Sequence, residues 1–123
     1  MEDREMLERA ASLMNFEIRE SFMNDLRVAE KDGATVWWNP LSSDADALQM
    51  AVKLGLDIVH GTDHVFVGDA SNDRYEATEY KTDNPYEATR RAIVRAATAM
   101  YNVKVRGGCR LAGRRPSERS ERS

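Results

Sequence analysis

Apolar and small side chains recur at helical spacing in the middle of the chain. Four of them fall at i, i+3, i+4 and i+7 on one predicted helix face: Leu48, Ala51, Val52 and Gly55. Ser43 precedes this run as an N-cap, and the carboxylate of Asp46 is expected to reach back to the Ser43 amide. Gly55 tolerates the left-handed conformation that ends a helix. The pattern predicts a helix over residues 43–54.

A second apolar stripe, near the N-terminus, predicts a helix over residues 3–14. Asp3 is the expected cap and Asn15 the expected end. The apolar positions have the spacing of core packing: Met6, Leu7, Ala10, Ala11, Leu13 and Met14.

The last predicted helix covers residues 85–101. Asn84 is its cap, Pro85 suits the first helical position, and Glu87 occupies the position of a capping-box acid. We expect no helix beyond Asn102. Small residues let the packing face lie close to a sheet: Ala92, Ile93, Ala96, Ala97 and Met100.

Residues 16–31 have a mixed pattern that suits both a strand and a helix. The Asp32-Gly33 pair favours a hairpin, with strands at Leu26–Glu30 and Ala34–Trp38. A helix over Ser21–Glu30 remains the alternative.

Three later segments alternate as strands do. Leu56–His60 and His64–Gly68 flank a short turn and predict a hairpin. A second turn at Asp69–Asp73 leads to a strand at Arg74–Lys81, whose polar face predicts partial exposure.

These elements combine into an α+β fold. We expect a compact α/β sandwich with an antiparallel sheet and helices at about 3–14, 43–54 and 85–101. Trp37 and Trp38 are adjacent in a strand, so their side chains point to opposite faces of the sheet. If one of them is exposed, it is a candidate contact residue, because tryptophan is enriched at binding hot spots.

Charge is divided unevenly along the chain, whose total is -3. Residues 1–103 hold eleven basic and nineteen acidic side chains, a net charge of -8, whereas residues 104–123 hold seven basic and two acidic ones, a net charge of +5. The sequence therefore predicts one acidic domain over 1–103 and a basic, disordered tail over 104–123. An acidic body repels phosphate and favours cationic protein partners.

Cysteine usage and hydropathy predict a cytoplasmic protein. Cys109 is the single cysteine, which excludes an internal disulfide and fits a reducing compartment. No apolar run reaches the roughly 18 residues of a membrane span, and the acidic start is unlike a signal peptide. We expect the chain to remain in the cytoplasm of the cell that makes it, without membrane association.

Two motifs carry a resemblance to a known family. The first comprises Trp38-Asn39-Pro40-Leu41, Asp44-Ala45-Asp46-Ala47-Leu48 and Ala51-Val52-Lys53-Leu54-Gly55-Leu56, and the second is Asn84-Pro85-Tyr86-Glu87-Ala88-Thr89-Arg90-Arg91-Ala92-Ile93-Val94-Arg95-Ala96-Ala97. Over about residues 37–101 the chain resembles the phage αβα-sandwich domain family, small tailed-phage and prophage proteins of unassigned function. The resemblance implies a phage-encoded origin and a compact α/β sandwich, and it brings no catalytic residues.

The chemically active side chains do not form a catalytic pattern. His60 and His64 flank a turn and lack a clear third ligand, so no metal or cofactor is predicted. Helix capping accounts for Asp44 and Asp46, and a nucleophile at Cys109 would lack a positioned base. We therefore predict no enzymatic activity.

Two surfaces are candidates for binding. Trp37 and four acidic residues are the predicted contacts with a protein partner: Asp69, Asp73, Glu76 and Glu79. The alternative is nucleic acid, since the helix-strand-strand-strand-helix order of residues 43–101 is shared with double-stranded RNA-binding folds. Three cations lie in the last helix: Arg90, Arg91 and Arg95. The acidic body disfavours this alternative.

The sequence thus predicts a phage-encoded accessory protein that acts as a non-enzymatic protein-binding module. Its partner would be a host or phage protein. One version is an inhibitor of a host defence system, such as an anti-CRISPR protein, because nucleic-acid-handling complexes present basic grooves that suit an acidic body. The alternative function is nucleic-acid binding through the arginine helix and the basic tail. The oligomeric state is left open, a homodimer included.

Overall fold

The computed structural model describes residues 2–22, 25–29, 33–69 and 74–111. Helices and antiparallel strands in these ranges confirm the predicted α+β fold. The helices are α1 (Asp3–Leu13), α2 (Asp44–Leu54) and α3 (Pro85–Leu111). The strands are β1 (Glu17–Phe22), β2 (Asp25–Ala29), β3 (Thr35–Trp38), β4 (Leu56–His60), β5 (His64–Asp69) and β6 (Arg74–Tyr80).

The described strands form two three-stranded sheets instead of the single sheet that the sequence predicts. β1, β2 and β3 make the first sheet in that order, and β4, β5 and β6 make the second. All four strand pairs are antiparallel. Because α2 follows β3 directly, the chain leaves the first sheet before β4 begins a new meander.

The hydrophobic core joins the helices to one face of each sheet. Buried residues of α1 and α3 occupy the predicted packing faces, which confirms those two predictions: Met6, Leu7, Ala10 and Ala11 in α1, with Ala92, Ile93, Ala96 and Ala97 in α3. Thr98 is buried among them, and its hydroxyl donates to the Val94 carbonyl oxygen at 2.9 Å. The small side chains of α3 allow the neighbouring elements to approach closely.

The start of α1 differs from the prediction. Glu2, not Asp3, is the N-cap residue, and it makes no side-chain cap hydrogen bond. The Asp3 carboxylate instead accepts hydrogen bonds from the two terminal guanidinium nitrogens of Arg91 at 3.1 and 3.3 Å, which ties α1 to α3. Asn15 follows the helix with a φ of 63°, a left-handed conformation that asparagine tolerates.

The boundaries of α2 are confirmed. Ser43 Oγ accepts a hydrogen bond from the Asp46 backbone N–H at 3.2 Å, and Gly55 has a φ of 67°. The predicted return bond from Asp46 to Ser43 is wrong, because Asp46 Oδ2 accepts from the Asn39 backbone N–H at 2.9 Å. That bond fixes the turn between β3 and α2.

The predicted packing face of α2 is wrong in part. Its buried residues are Ala47, Met50 and Ala51, whereas Leu48 is 60% exposed and Val52 is 73% exposed. Apolar side chains cover a broad part of the circumference of α2, so their spacing alone does not show which edge of the stripe faces the core.

The hairpin of β2 and β3 is confirmed, and the alternative helix over residues 21–30 is wrong. The register shifts between Ile18 and Glu20 of β1, which interrupts the alternation of that strand. Trp38 is 4% exposed and packs edge to face on Phe16, with ring centroids 5.5 Å apart. Trp37 is 55% exposed on the opposite face.

α3 continues to Leu111, so its predicted end near residue 101 is wrong. Asn102 lies inside the helix, and its Oδ1 accepts a hydrogen bond from Arg9 Nη1 at 2.7 Å. Asparagine inside a helix costs less than about 0.7 kcal/mol and each glycine about 1 kcal/mol, which a long helix can offset. Residues 104–111, which the sequence predicts to be part of a disordered tail, are helical and belong to α3. Residues 112–123 lie outside the described ranges, and the division into an acidic domain and a basic tail stays a prediction.

Candidate functional site

The register of the first sheet brings Glu20, Arg27 and Trp37 into one row. β1 pairs Glu20 with Arg27, and β2 pairs Arg27 with Trp37. Paired residues of antiparallel strands share a face, so these three side chains lie on the face opposite the core. The core face of the same sheet holds three buried side chains: Leu26, Val28 and Trp38.

A cleft of about 470 Å³ opens on this outer face. We call it the aromatic cleft, and its lining residues are Glu20, Ser21, Phe22, Asp25 and Trp37. Phe22 is 65% exposed, and neither Phe22 nor Trp37 makes a ring contact with another described aromatic residue. Two large rings therefore border a cleft without covering each other, an arrangement typical of contact surfaces.

The two carboxylates in the aromatic cleft have different partners: one pairs with an arginine and the other with a neutral amide. Glu20 Oε2 accepts from Arg27 Nη1 at 2.5 Å, so this carboxylate is paired. Asp25 Oδ1 accepts from the neutral side-chain amide of Asn39 at 2.8 Å, and no described residue forms an ion pair with Asp25. A carboxylate without a cationic partner beside two aromatic rings suits a lysine or arginine side chain, through charge-assisted hydrogen bonding and cation–π contact.

Asn39 positions the unpaired carboxylate. Its Nδ2 donates to Asp25, its Oδ1 accepts from the Leu41 backbone N–H at 3.0 Å, and its own N–H donates to Asp46. One asparagine therefore joins β2, the turn after β3 and the first turn of α2. This network fixes one wall of the aromatic cleft.

The structure separates the other predicted partner-binding residues from Trp37. Glu79 lies in the second sheet, with a side chain only 21% exposed, and it pairs with Arg95. Asp69 and Glu76 belong to β5 and β6, but their side chains lie outside what is described. Asp73 lies outside the described residues altogether.

The three arginines predicted for the nucleic-acid alternative all bind other parts of the domain. Arg90 donates through Nε to the Leu41 carbonyl oxygen at 2.8 Å and through Nη1 to Asp44 at 2.6 Å. Arg95 donates to the Thr78 carbonyl oxygen at 3.0 Å as well as to the Glu79 carboxylate.

Arg91 is the third of these arginines, and its pair with Asp3 is two-pronged. The hydrogen bonds that Arg91 donates to the Asp3 carboxylate raise the pKa of Arg91, and partial burial acts in the opposite direction. The geometry thus uses all three guanidinium groups to connect elements and does not present them together on a free surface.

His60 and His64 lie at the two ends of the turn between β4 and β5. His64 Nδ1 donates to Asp63 Oδ1 at 2.7 Å, and the ring centroids of His64 and Tyr80 are 4.1 Å apart. The hydrogen bond from His64 lowers the pKa of Asp63 below its ordinary value of 3.8. Among the residues that the structure describes, no three His, Cys, Asp or Glu side chains gather in a way that could hold a metal ion. The side chain of Cys109 lies outside that set.

A second cavity, of about 480 Å³, lies between α2, β4 and the start of α3. We call it the helix groove. Sequence reasoning missed it, since its lining comes from segments far apart in the chain: Asp44, Ala47, Leu48, Ile58, His60, Lys81, Pro85, Tyr86, Thr89, Arg90 and Ile93. The sequence also gives no signal for Phe22 and Asp25, because the mixed pattern of residues 16–31 does not define β1 and Asp25 lies one residue before the predicted strand Leu26–Glu30.

Comparisons with protein-family models, curated proteins and solved structures find no match to this chain. The resemblance to the phage family therefore stays a prediction. No helix in the described ranges is long and apolar enough to cross a membrane.

Proposed function

We propose that this chain is a non-enzymatic protein-binding module that recognises a basic segment of a partner protein through the aromatic cleft. The observation that carries the proposal is the position of Trp37, 55% exposed, beside the exposed ring of Phe22 and the carboxylate of Asp25, which forms no ion pair with a described residue. The two rings can make cation–π contact with a lysine or arginine side chain, and the carboxylate can accept hydrogen bonds from the same side chain.

The energetic support comes from the area that a partner could cover. Covering the exposed half of a tryptophan removes on the order of 100 Å² of apolar surface, which contributes about 2–3 kcal/mol. A cation placed over the ring and beside a carboxylate adds on the order of 1–2 kcal/mol. Central aromatic residues with these contributions are the usual hot spots of interfaces.

Charge supports a cationic partner at longer range. The net charge of -8 over residues 1–103 attracts a basic surface and raises the rate of encounter at low salt. The narrower hypothesis, a phage-encoded inhibitor of a host defence system, rests on the family resemblance and on this charge. We include this inhibitor role as the more specific form of the proposed protein-binding function.

Site-specific photo-crosslinking tests the proposal. A benzophenone amino acid is placed at Trp37 in one variant and at Val36 in another, and each is exposed to bacterial extract with and without nuclease. Val36 is the matched control, because it is also 55% exposed but points to the other face of β3. We expect the Trp37 variant alone to capture a discrete protein, with a yield that nuclease leaves unchanged and that falls as salt rises.

Two results would contradict the proposal. One is equal capture of the same proteins from positions 36 and 37, which would mean that the outer face has no special role. The other is loss of the crosslinked species on nuclease treatment, which would favour the nucleic-acid alternative.

A further inference from the structure

The helix groove has an apolar floor with two exposed apolar walls. Ala47 and Ile93 are buried at its base, whereas Leu48 of α2 and Tyr86 of α3 are 60% and 69% exposed. Its volume of about 480 Å³ lies within the range of about 300–1,000 Å³ typical of sites for small organic ligands. The size and lining therefore suit a compact apolar body.

The lining of the helix groove includes two cationic side chains, Lys81 and Arg90, and one anionic side chain, Asp44. Asp44 and Arg90 already pair with each other, so neither charge is free. Lys81 has no ion-pair partner in the part of the chain that the structure describes, and its Nζ makes one hydrogen bond, to the Gly61 carbonyl oxygen at 3.0 Å. An ammonium group carries three donors, so two remain for a ligand.

Lys81 and His60 lie at the same end of the helix groove. His60 ends β4 and is followed by Gly61, the residue whose carbonyl oxygen binds Lys81 Nζ. The Lys81 backbone N–H also donates to the Asp63 carbonyl oxygen at 2.8 Å, so the lysine is held to this turn at both ends. An ammonium held at this turn, in a groove that an imidazole and an apolar floor also line, is complementary to an anionic head group on an apolar body.

We propose that the helix groove is a binding site for a small amphiphilic monocarboxylate. The apolar body would pack on Leu48, Ile58 and Tyr86, and the carboxylate would accept hydrogen bonds from Lys81 and His60. This site is separate from the aromatic cleft, so the inference does not depend on the proposed protein partner.

Three probes that each contain eight carbon atoms and differ in their head group test the head-group preference of the site. Octanoate, octanol and octylammonium are titrated below their micelle-forming concentrations, and binding is followed by two-dimensional NMR of backbone amides. We expect saturable octanoate shifts at residues of the helix groove. The affinity for octanoate should exceed that for octanol by about tenfold, as expected for a charge-assisted hydrogen bond, and octylammonium should bind most weakly.

A pair of variants on α2 locates the site. Leu48→Asp places a carboxylate on the wall of the helix groove, whereas Val52→Asp places the same charge one turn further on, at a position 73% exposed and outside the lining. Octanoate binding should be lost in the first variant and retained in the second, with circular dichroism showing that both fold. Lys81→Gln, which keeps a hydrogen-bond donor without the charge, should weaken octanoate binding about tenfold.

Three outcomes would overturn the proposal: binding of octanol or octylammonium as tight as that of octanoate, equal weakening of binding by Leu48→Asp and Val52→Asp, or no saturable shift at the lining residues with octanoate. Failure of the crosslinking experiment at Trp37 would leave these readings unaffected, because the aromatic cleft and the helix groove share no lining residue.

Discussion

Each sheet has a middle strand that buries two aliphatic side chains, and each carries aromatic side chains on its opposite face. In the second sheet, Val65 and Val67 are buried, while on the other face the His64 ring contacts the rings of Phe66 and Tyr80. In the first sheet, Leu26 and Val28 are buried, but the outer rings of Trp37 and Phe22 flank a cleft without touching. The second sheet thus covers part of its own aromatic surface, and the first leaves its surface available.

The aromatic contacts of the second sheet therefore stabilise the fold, whereas the rings of the first sheet are available for recognition. Rings that contact each other stabilise the fold that holds them together, by roughly 0.5–1.5 kcal/mol per pair. Rings that border an open cleft contribute little to folding and can be covered only by another molecule. Exposure alone does not distinguish the two cases, because Tyr80 and Phe22 are 68% and 65% exposed.

The largest expected effect compares the two tryptophans of the first sheet. Trp38→Ala should lower the free energy of unfolding by about 3–5 kcal/mol, because it empties a buried site against Phe16. Trp37→Ala should change it by less than about 1 kcal/mol. Urea denaturation of both variants checks this, and similar losses would mean that Trp37 also packs within the fold.

The second prediction compares the outer faces. Tyr80→Ala should destabilise the fold by about 1 kcal/mol because it removes the contact with His64, whose ring centroid is 4.1 Å away. Phe22→Ala should cost less than about 0.5 kcal/mol despite equal exposure. Thermal unfolding of the two variants side by side measures the difference in stability. A larger loss of stability in Phe22→Ala than in Tyr80→Ala would contradict the distinction between the two sheets.

A smaller effect is expected from the charge in the aromatic cleft. Asp25→Asn keeps an acceptor for Asn39 but removes the unpaired negative charge, so association with an arginine-rich peptide should slow by about threefold at low salt. Glu17→Gln is the control, because Glu17 is exposed and already paired with Arg19. Stopped-flow fluorescence gives both rates. An equal slowing in the two variants would assign the effect to overall charge.

The smallest expected effect concerns Asp63 at the edge of the second sheet. The hydrogen bond from His64 lowers its folded-state pKa below 3.8, so the stabilising contribution is present above that value and is lost as pH falls through the folded pKa. The NMR titration midpoint of the Asp63 carboxyl should therefore lie below 3.8. In His64→Gln the midpoint should return toward the ordinary value, and an unchanged midpoint would exclude this cause.

Helix ends with local chemical signals could be read from the sequence. Ser43 and Gly55 bound α2 as predicted, and Asn84 Oδ1 accepts from the backbone N–H groups of Tyr86 and Glu87, each at 3.1 Å. These contacts form between residues two to three positions apart, so the sequence contains the whole interaction. The adjacent tryptophans were also correctly placed on opposite faces, because strand alternation is a local property.

Features that depend on distant partners were harder to predict. Asp3 binds Arg91 and Asn102 binds Arg9, so neither plays the capping or stopping role that its residue type favours. The shift of register in β1 obscured the strand that completes the aromatic cleft. A cleft assembled from three strands, and a groove assembled from two helices and a strand, appear only when tertiary packing is known.

The most direct test of the aromatic cleft follows the two indole N–H signals by NMR, since the chain has two tryptophans. A short peptide with one arginine is titrated against the protein, alongside twins in which citrulline or glutamate replaces the arginine. We predict a saturable shift of the Trp37 indole with the arginine peptide, a much weaker one with citrulline, none with glutamate, and no shift of the buried Trp38 indole. Equal shifts with arginine and citrulline, or a Trp37 signal that none of the peptides moves, would contradict recognition of a basic side chain at this cleft.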